Sequence, residues 1–426
     1  MPSTIERLPQ ARVRCIVTVT DDQRALAEER ALKRLGSNIK LDGFREGRAP
    51  LNVVKEKVKP EMLLEETVRM MAGDVITDTM KEHDLKPVIS PKLTVTKQNP
   101  LTLELIYVER PAVKLNKPDG IKVAKKPEAK VSAKEIDDFV NKVLSQDRTE
   151  TPVDRAAAKG DLVRVQLQAI NLDGSPMEEL NNLPYSTTLG SEDLIPGLDA
   201  ALVGAKAGEV KKIEPKFPKD HVIPTLRDKV IKIEAKVTGV AEVKLPELTQ
   251  EFIKSRMGMD KSPAEFREGI EKALNEQNAF KVAKDREEEF FDLIRKATKV
   301  DIAPELLDTE VQNMLADLQE NLSRENTSLD DWLKQSGKDP KQVLDEMREI
   351  AQSRITLRFG LQEYIKFKEV KIDDAELKKG IEQAKALAER DGRTVTDADM
   401  QPDGEIYAQA EWELQVRKVM AEAMGA

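Results

Sequence analysis

The chain has 426 residues, of which 39% are hydrophobic, 35% charged and only 4% aromatic, with a formal net charge of -9. That length is too great for one ordinary core and suggests about three domains; the composition fits a soluble protein with much exposed surface and excludes large aromatic cores. No apolar run approaches the ~20 residues of a membrane-spanning helix, the N-terminus lacks an apolar signal core so export is not indicated, and an acidic chain is not a general nucleic-acid binder.

Residues 11–20 combine β-branched side chains with partial alternation and predict a strand. The chain's single cysteine, Cys15, lies in it; a buried, inert thiol is the expected state, and a reducing cytoplasm fits. Asp21 or Asp22 caps a helix to about Leu35, stopped by Gly36. The stretch from Leu41 to Pro50, Leu-Asp-Gly-Phe-Arg-Glu-Gly-Arg-Ala-Pro, then forms a short tip bracketed by Gly43 and Gly47. Pro50 suits the first position of a helix from Leu51 to Lys59. Phe44 and Arg45 on a loop tip read either as a docking device or as a turn whose Phe44 folds back onto its own domain. From Lys33 to Lys59 there are eight basic residues (Lys33, Arg34, Lys40, Arg45, Arg48, Lys55, Lys57, Lys59) and three acidic ones (Asp42, Glu46, Glu56), a local charge of 8 - 3 = +5. Such a patch suits a polyanion touched at one place, and equally a solvated helix face.

Gly43-Phe44-Arg45-x-Gly47-x-x-Pro50 resembles the docking signature of the bacterial trigger factor family, chaperones that wait where the ribosomal peptide tunnel opens. The resemblance extends along the whole chain. It implies that Gly43, Phe44, Arg45, Glu46, Gly47, Arg48 and Pro50 form the ribosome-binding loop, which meets a large-subunit protein and nearby ribosomal RNA. Many members carry a lysine where this chain has Glu46, which weakens the case for a phosphate contact at that position.

A helix from about Pro60 to Glu82 follows, with Leu63, Leu64, Val68, Met71, Val75 and Ile76 on helical spacing; His83 beyond it reads as a solvated helix-end residue. Residues 91–96 and 101–108 predict paired strands joined at Asn99-Pro100. An α+β domain over residues 1–112 results. Residues 111–130, rich in proline and lysine, predict an extended linker. Ser132-Ala-Lys-Glu135 is a capping box opening a helix to about Arg148. By the resemblance, residues 113–152 belong with the C-terminal domain, because a middle domain is inserted into it.

That middle domain, residues 153–241, has a different texture. Residues 162–170 predict a strand, 172–175 a turn, 194–204 a loop leading into a short helix, and 229–237 a closing strand, which together describe a compact α+β fold. Leu194-Ile195-Pro196-Gly197-Leu198-x-x-Ala201-Leu202-x-Gly204-x-x-x-Gly208-Glu209 resembles the FKBP-type prolyl isomerases. Prolyl isomerisation needs no acid, base or nucleophile; it needs a dry pocket that favours the twisted amide. The resemblance places the pocket on Leu167, Met177, Glu178, Tyr185, Ile195, Leu198, His221 and Ile233. Only Tyr185 and the imidazole of His221 keep a ring there. Aliphatic replacements roughly preserve volume but lose ring contacts with proline, so isomerase activity is expected to be weak or absent. His221 has no second histidine or cysteine at ligand spacing, so no metal is expected.

Residues 242–426 read as helical throughout, with a break at Met257-Gly258-Met259, a restart at Ser262-Pro263, and further helices from Pro304 and over about 328–336, 340–367, 373–390 and 404–423. Met314, Leu318, Phe359 and Tyr364 belong to an apolar surplus that fits burial between helices or a client-binding surface. The resemblance implies the second in part, a cradle of dispersed apolar patches that holds unfolded polypeptides. With no glycine-rich phosphate loop, no cofactor and no ATP cycle are expected. Off the ribosome the family often forms homodimers. The expected fold class is therefore a multidomain α+β protein with an all-helical, discontinuous C-terminal part. The leading reading is a ribosome-docked, ATP-independent chaperone. A folding enzyme acting mainly as a prolyl isomerase, and a free assembly chaperone with a degenerate loop, are the alternatives.

Overall fold

The computed structural model describes residues 2–37, 44, 49–125, 130–172, 174, 175, 177, 180, 182–190 and 195–425. The expectations for Gly43, Arg45, Glu46, Gly47, Arg48 and Glu178 fall outside these residues. In chain order the elements begin with β1 (Ser3–Leu8), β2 (Arg12–Thr18), α1 (Asp21–Ser37), α2 (Leu51–Lys57), α3 (Pro60–Glu82), β3 (Lys92–Gln98), β4 (Leu101–Val108) and β5 (Val113–Leu115). Next come α4 (Ala133–Leu144), β6 (Thr149–Pro152), β7 (Leu162–Asn171), β8 (Leu183–Thr188), α5 (Leu198–Leu202), β9 (Val210–Ile213) and β10 (Ile231–Lys244). The remainder is α6 (Gln250–Met257), α7 (Pro263–Ala297), β11 (Thr298–Val300), α8 (Pro304–Arg324), α9 (Leu329–Ser336), α10 (Pro340–Phe367), α11 (Asp374–Arg390) and α12 (Glu405–Ala423). The fold mixes helices and sheets in a multidomain chain. It divides into two compact units, Met1–Lys126 with Ala283–Ala426, and Pro127–Val282.

In the first unit, β1-β2-β4-β3 form an antiparallel sheet. Val13, Cys15 and Val17 alternate inward from β2 onto Val68, Met71 and Val75 of α3, which is the period-2 face of a strand meeting a helical stripe. Tyr107 is fully buried among them; its hydroxyl meets Thr79 Oγ1 at 2.5 Å, while Thr79 Oγ1 itself donates to Val75 O. β1 escapes sequence reading because it is a largely exposed edge strand with no apolar alternation. Helix α1 runs through Gly36 to Ser37 rather than stopping there. Gly36 is a packing residue: a Cβ at that position would lie 3.0 Å from Val54 Cγ2.

A second core of this unit joins segments far apart in sequence. The stretch expected as a free linker is bound: β5 pairs antiparallel with β11, and Ile121 and Val123 enter a cluster with Phe290, Ile294, Leu361, Tyr364 and Val419. Helix α10 approaches β11 closely at Gly360, where a Cβ would overlap Thr298 Oγ1 and lie 2.8 Å from Ile294 Cγ2. β11 also interrupts the stretch expected to be helical throughout.

The second unit holds a five-stranded sheet in the order β6-β10-β7-β8, with β9 also paired to β10. The expected closing strand is longer than its apolar pattern suggested. β10 runs fourteen residues and bends at a bulge between Val237 and Gly239 before continuing beside β6. Helix α4 carries the full capping box between Ser132 and Glu135 but ends at Leu144, where its buried apolar face ends; residues 145–147 form a 3-10 turn and β6 begins at Thr149. α6 starts at Gln250 with Thr249 as its cap, not at Pro246. None of the described helices is long and apolar enough to cross a membrane.

Burial pushes the Cys15 thiol up to about 11, with the Glu82 carboxylate adding to the effect. The unfolded thiol ionises near 9, so folding stability from this group is complete below that pH and falls as pH rises towards 11. Native protein at pH 8 should resist a maleimide or disulfide reagent, with labelling that tracks unfolding in urea; rapid native-state labelling would contradict the burial.

Candidate functional site

The loop between α1 and α2 rises from a small core of Ala31, Leu32, Val54, Val58 and Leu63. Two ion pairs brace its base: Lys55 Nζ to Glu28 Oε1 at 2.5 Å, and Arg34 Nε to Glu66 Oε1 at 3.2 Å. Lys33 likewise pairs with Glu29 Oε1 at 2.6 Å. Three of the bases that made up the local +5 are therefore matched by acids outside that window. Lys57 and Lys59 make no salt bridge among the described residues. Pro50 occupies the N-cap of α2, one residue earlier than expected, and its carbonyl accepts from Val53 N and Val54 N at 3.0 and 3.1 Å. Phe44 is 43% exposed, so of the two readings of its ring the structure shows the exposed one.

In the second unit, Leu167, Met177, Ile195, Leu198 and Ile233 all lie in one buried core, with Tyr185 half-buried against it. Leu167 and Leu198 are 0% exposed. These positions come together as expected, but as core side chains packed on one another. His221 is also buried. Its Nδ1 accepts from Ile223 N at 3.2 Å, and its carbonyl accepts from Arg227 Nε at 2.7 Å, which fixes the turn over residues 221–227. Sequence reasoning passed over Phe217, a fully buried ring that meets His221 edge to face at 4.9 Å and 80°. The aromatic content of this region is thus one ring richer than the aligned positions suggested. Its signal was an aromatic flanked by turn residues, Lys-Phe-Pro, in a segment read only as loop.

The loop that carries Ile195 is tied to the start of the domain. Asp161, which is buried, takes both guanidinium nitrogens of Arg155 and the backbone N–H of Ala158. Asp161 O accepts from Leu189 N at 2.9 Å, and Asp199 Oδ2 from Gly190 N at 2.8 Å. Gly190 has φ +91° with the Lys159 side chain lying across it, so a side chain is excluded there on both counts.

Among the expected client contacts, Met314 and Leu318 are half-buried on α8. Phe359 and Tyr364 are not surface residues and are corrected here. Phe359 packs with Val108, Ala303, Leu306 and Ile355, its ring flanked by the Arg110 and Arg358 guanidiniums, each 5.9 Å from the centroid. Tyr364 is 1% exposed, stands 6.0 Å from the Phe290 ring, and its hydroxyl donates to Ile121 O at 3.4 Å. Helix α10 turns several apolar faces inward because three separate segments pack around it. His83, expected in solvent, is half-buried, its Nε2 2.8 Å from Ser3 Oγ. No cluster of three metal-ligating side chains occurs among the described residues.

A bulged five-stranded sheet around one short helix, with an aliphatic core at its pocket positions, defines an FKBP-type domain set within a larger helical protein. Residues 153–240 match the model of FKBP-type peptidyl-prolyl cis-trans isomerases. Residues 1–143 match that of the bacterial trigger factor protein, and 263–419 that of its C-terminus. The trigger factor of Clostridium botulinum (strain Alaska E43 / Type E3) is 26% identical over 382 residues, 88% of each chain. That of Clostridium kluyveri (strain ATCC 8527) is 27% identical over 395 residues, 91% of this chain and 90% of its own. A solved structure from work on promiscuous substrate recognition by the trigger factor chaperone aligns over 99% of this chain and 98% of its own, at 22% identity and a TM-score of 0.43. That score is too low to carry residue positions across. The chain belongs to the trigger factor family of chaperones.

Arg155 chiefly, by hydrogen bonding, and the Ala158 N–H hold the Asp161 carboxyl below its ordinary value against the opposing effect of burial. A lowered pKa contributes stability that is present at neutral pH and lost as pH falls through the folded value. Asp161→Asn should lower stability by about 1–3 kcal/mol at pH 7, the cost of breaking a buried polar network. It should also flatten the acid limb of a urea-denaturation series. An unchanged acid limb would remove Asp161 from that role.

Proposed function

We propose that this protein is an ATP-independent chaperone of the cytoplasm that docks on the large ribosomal subunit through the loop at residues 43–50 and holds nascent and unfolded polypeptides. The observation that carries this reading is Phe44, an exposed ring on a loop whose two flanking helices are locked by a shared core and two ion pairs. An apolar ring kept in water loses its solvation cost when a partner covers it, and a braced base means little ordering entropy is spent on docking. Arg45 and Arg48, with Lys57 and Lys59, would supply the charge for nearby RNA. We assign residues 1–112 to docking, 113–152 and 242–426 to the client-holding part, and 153–241 to the isomerase-type domain. Met314 and Leu318 on α8 remain the client contacts this reading favours. Cosedimentation with ribosomes tests docking. Phe44→Ala should weaken binding at all salt concentrations, whereas Arg45→Ala should weaken it mainly at low salt. Full cosedimentation of the double variant would overturn the assignment.

Within the same reading, the FKBP-type domain is a weak or inactive isomerase. Its aligned wall positions are packed core, and only Tyr185 among them is part-exposed. The intact protein should accelerate a proline-limited peptide isomerisation little above the uncatalysed rate. Appreciable turnover, abolished by Tyr185→Ala, would instead favour the folding-enzyme reading. Introducing rings at Leu198 or Ile233 is a poor test, because both are fully buried and overpacking costs about 1–3 kcal/mol.

A further inference from the structure

Away from these sites, the second unit carries an apolar groove where α4 meets the first turns of α7. Phe139, Met259, Phe266, Ile270 and Leu274 line a cavity of about 300 Å³. Phe139 and Leu274 also wall an adjoining cavity of about 290 Å³. The groove is open because α7 carries glycine at its floor: a Cβ on Gly269 would meet nothing nearer than Lys261 Nζ, at 3.9 Å. Phe139 leaves 42% of its surface exposed, although its neighbours Val140 and Leu144 are buried. Lys261 is the charged residue lining the larger cavity. The nearest acid in sequence, Glu265, is committed to the start of α7: its Oε2 accepts from Ser262 N at 2.8 Å and Ser262 Oγ at 2.7 Å. Lys261 thus makes no salt bridge among the described residues while facing an apolar concavity.

We propose that this groove binds the C-terminal end of a polypeptide, with the free α-carboxylate on Lys261, the last side chain in the cavity beside it, and the side chain two residues earlier in the adjoining one. In an extended chain, residues i and i+2 point to one side about 7 Å apart, so two cavities sharing a wall suit one strand. Volumes near 300 Å³ fall at the small end of ligand pockets and suit single large apolar side chains. The shared wall of Phe139 and Leu274 divides the groove, which disfavours a continuous acyl chain. The inference rests on the chaperone reading and adds to it. A chain still esterified to tRNA has no free carboxylate, so this contact is closed to a growing chain and open to a finished one.

The test is fluorescence anisotropy on the full chain with a labelled peptide ending Leu-Ala-Phe, as free acid and as C-terminal amide. The acid should bind about threefold more tightly at low salt, the worth of one exposed ion pair. That preference should vanish in Lys261→Ala, and Gly269→Val should weaken both peptides. Circular dichroism reports whether the variants fold; should Gly269→Val unfold, the acid–amide comparison in Lys261→Ala decides alone. Equal affinity of the two peptides, or a preference that survives Lys261→Ala, overturns the proposal. Binding of dodecanoate without binding of the peptide acid would also overturn it and mark a site for amphiphiles. Failure of the chaperone reading itself would appear separately, as wild-type protein that neither cosediments with ribosomes nor holds an unfolded client.

Discussion

The first unit depends on one long-range closure. Asn116 donates from its backbone and from its side chain to Ala297 O, at 2.9 and 3.0 Å, across 181 residues of chain. Loop-closure entropy grows only logarithmically, by about 0.6 kcal/mol per doubling, so a large insertion between the two strands costs little more than a short one. What must offset the closure is burial, supplied where Ile121 and Val123 reach Phe290, Tyr364 and Val419. Residues that read as a spacer are thus a strap. Without them the helices from α7 onward would expose the apolar faces they now share, and Val108 of the N-terminal sheet would lose its neighbours on α8 and α10.

The same logic of support separates rigid from presented surface near the N-terminus. Most of the charge on α1 is spent internally, in pairs such as Lys33 with Glu29 and Arg34 with Glu66. Such exposed pairs contribute little stability, at most about 1 kcal/mol each. Their effect is on geometry, since they fix where two helices end and so where the ring of Phe44 stands. The apolar tip and the surrounding charge therefore have distinct tasks, contact for one and orientation for the other.

Much of this architecture was legible because local chemistry is strong where helices start. Pro60, the Ser132–Glu135 box and Pro340 each sit where an element begins. The hairpin of β3 and β4 was equally plain from its turn residues. Less legible were features set by distant neighbours. Gly36 looks like a stop signal in sequence, yet it is there to admit Val54. Phe359 and Tyr364 look like surplus on a helix until the strap and the Arg110 guanidinium arrive from elsewhere in the chain. At the isomerase-type core the sequence revealed which residues converge, but not that they would pack shut. Hydrophobicity marks a wall and a core alike.

The pairing of β6 with β10 has a mechanical consequence. Thr149 stands opposite Lys244 and Pro152 opposite Ala241, so the polypeptide enters and leaves the FKBP-type domain on adjacent antiparallel strands. Tension applied across those two crossings would open the ladder like a zipper, one hydrogen bond at a time, instead of loading it in shear. The same adjacency makes the domain a cassette: replacing it with a tight turn between Pro152 and Ala241 would leave a hairpin whose register already exists. A scaffold wired this way can gain, lose or exchange its inserted module without retracing the rest of its backbone.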